Sequence, residues 1–114
     1  MIARLGLAVL PIVAGGCADT QGPRLESVTP SAARKGDFVV IVGQRLCGAS
    51  GDCETAGGEV QFGLALPTVR ARIVRYEPTE AEVEVPDLVA LGDTSIVVTV
   101  NESASNELAF EVLP

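Results

Sequence analysis

The sequence predicts an all-β fold, a sandwich of two antiparallel sheets that follows an N-terminal targeting segment. Short apolar stretches that alternate or are rich in β-branched residues recur along the chain, and turn residues separate them. After the targeting segment, no apolar pattern of helical period extends over ten residues. Of the 114 residues, about 98 follow that segment, which is room for one domain.

The composition excludes several classes of function. The chain has no histidine and three cysteines, so Ser-His-Asp and Cys-His catalytic arrangements and His-containing metal sites are excluded. We therefore expect no catalytic residue, no metal and no cofactor. The net charge of −7 becomes 7 minus 15, or −8, once Arg4 leaves with the targeting segment. Because such a charge repels phosphate backbones, nucleic acid is not an expected partner.

Residues 1–16 have the pattern of a secretory signal peptide. Arg4 precedes an apolar run from Leu5 to Ala14, and small residues follow it up to Cys17. A helix of ten residues is only about 15 Å long, whereas the hydrocarbon core of a bilayer is roughly 30 Å thick. A cleaved signal peptide therefore fits this segment better than a transmembrane anchor.

The residues Val13-Ala14-Gly15-Gly16-Cys17 resemble the lipobox of bacterial lipoproteins. The resemblance implies that Cys17 is linked to diacylglycerol, becomes the first residue after cleavage and is acylated. Lipidation of Cys17 would leave two cysteines to pair in an oxidising compartment. Because Ala14 stands where the pattern prefers leucine, ordinary cleavage after Gly16 or Ala18 stays open. By resemblance to the enterobacterial sorting pattern, Ala18 implies the outer membrane.

Residues 17–22 are expected to form a short lipid-anchored tether, and residues 23–114 the domain. The five residues after Cys17 span at most about 17 Å at roughly 3.4 Å per residue. We therefore expect the domain to lie close to a membrane of the cell envelope.

Period-two patterns predict the strands of the sandwich. In the segment Glu80–Val85, the three glutamates share one face, and the apolar residues occupy the other. A turn at Pro78-Thr79 would place Arg75 and Arg72 opposite these glutamates as a surface charge ladder. Residues 86–91 are the one candidate for a short helix. The predicted strands are Phe38–Val42, Glu59–Phe62, Arg70–Val74, Glu80–Val85, Ser95–Val100 and Leu108–Leu113.

Five ordered segments resemble the strands of IPT/TIG domains, which are immunoglobulin-like modules. They are residues 23–31, 36–46, 60–63, 73–86, and 92–100 with 105–112. The resemblance implies an immunoglobulin-like sandwich without a catalytic site. Members of this family serve as structural spacers, as protein-binding modules, as parts of transcription factors and as accessories in carbohydrate-active enzymes. The transcription-factor role conflicts with export and with the acidic charge.

The segment from Cys47 to Gly58 is the candidate binding loop. A disulfide between Cys47 and Cys53 would close a seven-residue ring, a spacing that differs from the redox motif C-x-x-C. About twelve residues are inserted here between two strands, and stapling lowers the entropy that a loop loses on binding. Calcium binding is an alternative for the acidic residues of this region, although their spacing matches no known calcium loop. The candidate binding residues are Gly48, Ser50, Asp52 and Glu54.

Together these features predict a lipid-anchored protein of the cell envelope with one non-catalytic IPT/TIG domain. Its expected partners are the membrane, through the N-terminal lipid, and a protein or an envelope polymer. A structural role is also open. The alternative is a carbohydrate-binding accessory module, which should present a row of exposed aromatic side chains. The chain has four aromatic residues, namely Phe38, Phe62, Tyr76 and Phe110.

Overall fold

The computed structural model describes residues 22–63 and 67–114. The predicted signal peptide, the predicted lipidation site Cys17 and the predicted tether up to residue 21 lie outside the described residues. The described chain forms ten strands and one short helix. They are β1 (Arg24–Thr29), β2 (Ala32–Arg34), β3 (Phe38–Gln44), α1 (Cys53–Ala56), β4 (Glu59–Phe62), β5 (Val69–Arg70), β6 (Arg72–Glu77), β7 (Glu80–Glu84), β8 (Gly92–Val100), β9 (Ser103–Ala104) and β10 (Leu108–Leu113).

The strands form two sheets, which confirms the predicted all-β sandwich. One sheet has the order β1-β3-β7-β6, and the other has the order β2-β10-β8-β4-β5, with β9 paired to β8. Neighbouring strands are antiparallel except for β2, which runs parallel to β10. The opening segment thus contributes β1 to one sheet and β2 to the other. Among the described residues, no helix is long and apolar enough to cross a membrane.

The core lies between the two sheets and follows from the alternation of side chains along each strand. In β3 and β7, every second residue is fully buried, as for Val39, Ile41, Ala81 and Val83. The aromatic centre of the core is an edge-to-face pair between Phe62 of β4 and Phe110 of β10. Their ring centroids are 5.5 Å apart and their planes are inclined by 88°, a geometry that aromatic quadrupoles favour.

The outer face of the four-stranded sheet carries the predicted charge ladder. Arg72 Nε lies 2.8 Å from Glu84 Oε1, and Arg75 lies within 4 Å of Glu77, Glu80 and Glu82. These pairs face solvent, so each contributes little to stability. The ladder confirms the register of the predicted β6–β7 hairpin, whose turn is Pro78-Thr79.

The structure corrects one predicted strand and excludes the one helix candidate. The predicted strand Arg70–Val74 is divided at Ala71, because residues 69–70 pair with β4 in one sheet and residues 72–77 pair with β7 in the other. Ala71 is buried where the chain passes from one sheet to the other, and its N–H donates to Val60 O at 2.8 Å. Residues 86–91 form turns and not a helix, and the short helix occurs instead at Cys53–Ala56.

The sandwich has two distinct ends. One end is called the tether end because it holds Gly22, the last residue of the predicted tether. It also holds the loop from Cys47 to Gly58 and the β6–β7 and β8–β9 turns, as shown by the pairing of Arg24 with Gln44 and by the bond from Leu46 N to Pro78 O. The far end holds the connection between β7 and β8 and the carbonyl of Pro114, which accepts from Arg34 Nε. Strand β8 runs from the far end to the tether end over nine residues, about 27 Å.

Candidate functional site: the stapled loop

The stapled loop, residues 47–58, connects β3 to β4 and is closed by a disulfide between Cys47 and Cys53. The two Cα atoms are 4.7 Å apart, so the predicted disulfide is confirmed. Cys47 is fully buried against the core, whereas Cys53 is partly exposed at the start of α1. The staple therefore fixes an exposed turn to a rigid part of the sandwich.

Asp52 organises the middle of the stapled loop as the N-cap of α1. Its Oδ1 accepts hydrogen bonds from Glu54 N at 3.2 Å and Thr55 N at 3.3 Å, and its Oδ2 accepts from Thr55 Oγ1 at 2.8 Å. The hydroxyl of Thr55 and, after it, the backbone N–H groups hold the pKa of Asp52 below its usual value. The Asp52 carboxylate is therefore already engaged within the loop, which shapes the backbone for its neighbours.

Two further contacts fix the loop to the sandwich. The hydroxyl of Tyr76, on β6, donates to Leu46 O just before the loop, and the Tyr76 ring lies so close to Gly58 that any side chain there would collide with it. At Gly48, a Cβ atom would lie 2.8 Å from Asn101 Nδ2 in the β8–β9 turn. The loop is therefore ordered by a disulfide, a helix cap and close packing at both ends.

The four candidate binding residues differ in their surroundings. Ser50, Asp52 and Glu54 are exposed, whereas Gly48 is buried and can only shape the loop. Ser50 Oγ accepts from Asp52 N at 3.2 Å, which leaves its hydroxyl proton free for another partner. The surface that a partner could touch is thus formed by the exposed residues of the loop, which are Ala49, Ser50, Gly51, Asp52, Glu54, Thr55 and Gly57.

The acidic residues of this region do not converge on a cation. Asp52 caps α1, and Glu59 pairs with Arg70 at 3.2 Å across the β4–β5 pair. In the part of the chain that the structure describes, no three His, Cys, Asp or Glu side chains lie close enough together to hold a metal ion.

A groove of about 550 Å³ also lies at the tether end, between residues 22–24 and residues 103–106. Two of the polar side chains that line this groove, Asn106 and Ser105, form hydrogen bonds within the fold. Asn106 Oδ1 accepts from Leu25 N at 2.7 Å and its Nδ2 donates to Leu25 O at 3.0 Å, and Ser105 Oγ accepts from Val98 N at 2.9 Å. The pair Asn106–Leu25 is separated by 81 positions, and no sequence pattern signalled it.

Leu88 forms an apolar projection at the far end that the sequence did not predict. It is 85% exposed, and shallow grooves of about 260 and 300 Å³ lie on either side of it. One groove is lined mainly by apolar residues of the β4–β5 and β7–β8 connections, and the other includes Arg70 and Arg72.

The four aromatic side chains do not form a binding row. Phe62 and Phe110 are buried in the core, and Tyr76 is partly buried beside the stapled loop. Phe38 is 50% exposed on the outer face of β3. A single exposed aromatic ring gives little of the stacking surface that carbohydrate recognition needs.

Comparison with known proteins supports the fold. No family model and no curated protein matches the chain. A solved structure of γ-CGTase from the alkalophilic Bacillus clarkii is similar with a TM-score of 0.63 and 22% identity, over 82% of this chain and 12% of that chain. A protein of unknown function from Bacteroides thetaiotaomicron has a TM-score of 0.67 and 17% identity, over 81% of this chain and 22% of that chain.

A third similar structure is an auxiliary nutrient binding protein from Bacteroides ovatus. Its TM-score is 0.53 at 17% identity, over 84% of this chain and 22% of that chain. The chain thus spans between 12% and 22% of the length of these proteins. At such identities the similarity establishes the β-sandwich alone, as a unit that recurs within larger proteins.

Tyr76 provides a direct test of the packing around the loop. Burial raises the pKa of Tyr76 from 10.0 to about 12. Between these values the unfolded chain binds fewer protons than the folded chain, so stability is full below about pH 10 and falls as the pH rises toward 12. Tyr76 is the one tyrosine in a chain without tryptophan, so absorbance titration follows it alone. A titration midpoint of Tyr76 near pH 10 in the folded protein would contradict the burial of its ring beside the loop.

Reduction of the disulfide should weaken the domain without unfolding it. The ring of seven residues contributes about 2 kcal/mol in the chain-entropy model, and both cysteines lie outside the strands. Urea unfolding with and without reductant measures the difference. The double variant Cys47→Ala/Cys53→Ala is the matched control, since it should not respond to reductant. Loss of all β-structure on reduction would show that the staple supports the whole sandwich.

Proposed function

We propose that this chain is a lipid-anchored protein of the bacterial cell envelope, held at the outer membrane through Cys17, with one non-catalytic domain of the IPT/TIG type. The domain acts by binding a protein or an envelope polymer. The sandwich fold and its recurrence in larger proteins, one of them a nutrient binding protein, support a β-domain with a binding role. The lipobox-like residues 13–17 support the anchor.

The observation that carries the binding role is the order of the stapled loop. The disulfide, the Asp52 cap and the bond from Tyr76 to Leu46 O hold an exposed segment in one conformation. A loop that is already ordered loses little conformational entropy when a partner binds. The charged residues on the outer face of β6 and β7, by contrast, are paired with one another. We therefore assign recognition to the stapled loop.

Exchange of the loop tests this assignment. Residues 48–57 are replaced by a short turn and Cys47→Ala removes the unpaired thiol, while Leu88→Ala at the far end is the matched control. Each variant is used to recover partners from detergent-solubilised envelopes after chemical cross-linking. We expect the loop exchange to abolish recovery and Leu88→Ala to leave it unchanged.

The fold of each variant is checked by circular dichroism, so that a lost interaction is not confused with unfolding. Partner recovery at the wild-type level by a folded loop-exchange variant would assign binding to another surface. Loss of recovery with Leu88→Ala alone would assign it to the far end.

A further inference from the structure

Gly22, the last residue of the predicted tether, contacts the residue that leads into the stapled loop. Arg45 Nε donates to Gly22 O at 2.8 Å, and Arg45 lies two residues before Cys47. The backbone of Arg45 has a φ of 55°, which non-glycine residues adopt only where the surrounding structure holds them there. A hydrogen bond and a constrained backbone conformation therefore connect Gly22 to the start of the stapled loop.

The same end of the sandwich includes the β8–β9 turn. Asn101 in this turn lies against Gly48, and Val100 pairs with Ser103 just beyond it. The connection that contains Leu88 and Ala90 lies at the other end of β8, about 27 Å away. With a lipid at Cys17, the end of the domain that holds Gly22 would be the end attached to the membrane.

We propose that the stapled loop faces the bilayer, that the Leu88 end points away from it, and that the partner of the loop is a protein of the same membrane. This inference rests on the proposed function, since it requires the lipid at Cys17. The chain from Cys17 to Gly22 spans at most about 17 Å. A folded soluble domain of 100 residues has a radius of gyration of about 13 Å. Such a domain is too wide to enter the gap between the loop and the bilayer.

The charge of the loop favours a protein over the lipid surface itself. The stapled loop carries Asp52 and Glu54 and has no lysine or arginine, and Glu102 lies in the neighbouring turn. Anionic head groups repel acidic side chains. A membrane protein that presents polar or basic groups at the bilayer surface meets both the spatial and the electrostatic requirement.

A pair of single-cysteine labels tests the orientation. Ala104, on β9 at the tether end, and Ala90, at the far end, are both exposed alanines. Ala104→Cys and Ala90→Cys are made in the lipidated protein, whose other cysteines carry lipid or form the disulfide. Each is labelled with a fluorescent donor and inserted into phosphatidylcholine nanodiscs with an acceptor lipid. Since the two positions are separated by about 23 Å along β8, we expect at least about twofold greater energy transfer from position 104.

The outcomes separate this inference from the function on which it rests. Equal transfer, or greater transfer from position 90, in protein that co-elutes with the nanodiscs would overturn the orientation and leave the anchor intact. Protein that does not co-elute would overturn the anchor and the orientation together.

Arg45→Gly should reduce the difference in energy transfer between the two labels, because it removes the contact to Gly22 O. Arg34→Ala, which removes a similar arginine contact to Pro114 O at the far end, should not change it. If energy transfer from positions 104 and 90 differs as much in Arg45→Gly as in the wild type, the contact between Arg45 and Gly22 does not set the orientation.

Discussion

Replacing Cys17 by serine is expected to move the protein from the membrane fraction to the soluble fraction, or to leave it as an unprocessed precursor. A serine hydroxyl cannot form the thioether that carries the lipid. Two or three acyl chains, at about 0.8 kcal/mol for each buried methylene, hold a protein on a bilayer almost without release. Immunoblots of membrane and soluble fractions measure the change, which should be nearly complete.

The control for this experiment is the double variant Cys47→Ser/Cys53→Ser. It removes the other two cysteines of the chain and should stay in the membrane fraction, because it keeps the anchor. Cys17→Ser protein of mature size in the membrane fraction would contradict an anchor at Cys17.

Replacing Phe62 by alanine should lower the free energy of unfolding by about 3–5 kcal/mol. Phe62 is fully buried between the sheets, and its ring meets Phe110 edge to face at 5.5 Å. The change removes apolar surface from the core, leaves a cavity and ends an aromatic contact worth about 0.5–1.5 kcal/mol. Because small domains are stable by only about 5–15 kcal/mol, urea denaturation should show a large shift of the midpoint.

Phe38 provides the matched control because the same substitution there removes a half-exposed ring. Phe38 lies on the outer face of β3 and is 50% exposed. Substitutions on the surface usually change stability by about 0.5 kcal/mol or less. We therefore expect Phe38→Ala to lower the free energy of unfolding by less than about 1 kcal/mol. An equal loss of stability in the two variants would contradict the placement of the core.

The strand pattern could be predicted wherever side-chain alternation decides it. Residues 80–84 alternate between glutamate and small or β-branched residues, and this alone places Ala81 and Val83 in the core and the glutamates on the surface. The short turn after Glu77 then sets Arg72 and Arg75 opposite them. The pairing of Cys47 with Cys53 follows from the flexible ring between them.

Features that depend on three-dimensional context could not be predicted. Residues 70–74 have β-forming character throughout, so nothing local shows that the chain changes sheets at Ala71. The four-residue helix Cys53–Ala56 is too short to have an apolar period. The Asn106–Leu25 bonds and the Arg45–Gly22 contact join residues 81 and 23 positions apart.

The candidate site was predictable in position but not in orientation. The length, the glycines and the paired cysteines of residues 47–58 indicated an ordered, exposed loop. The loop lies beside Gly22 because Arg45 binds Gly22 O, and it lies beside the β8–β9 turn because Gly48 packs against Asn101. Only the folded chain brings these residues together.

Mass spectrometry of the N-terminal peptide from envelope-purified protein tests the proposed anchor most directly. We expect this peptide to begin at Cys17 and to carry the mass of a diacylglycerol thioether and an amide-linked acyl chain. A mature protein from the envelope that begins at another residue, or that contains an unmodified Cys17 thiol, would contradict lipidation at Cys17.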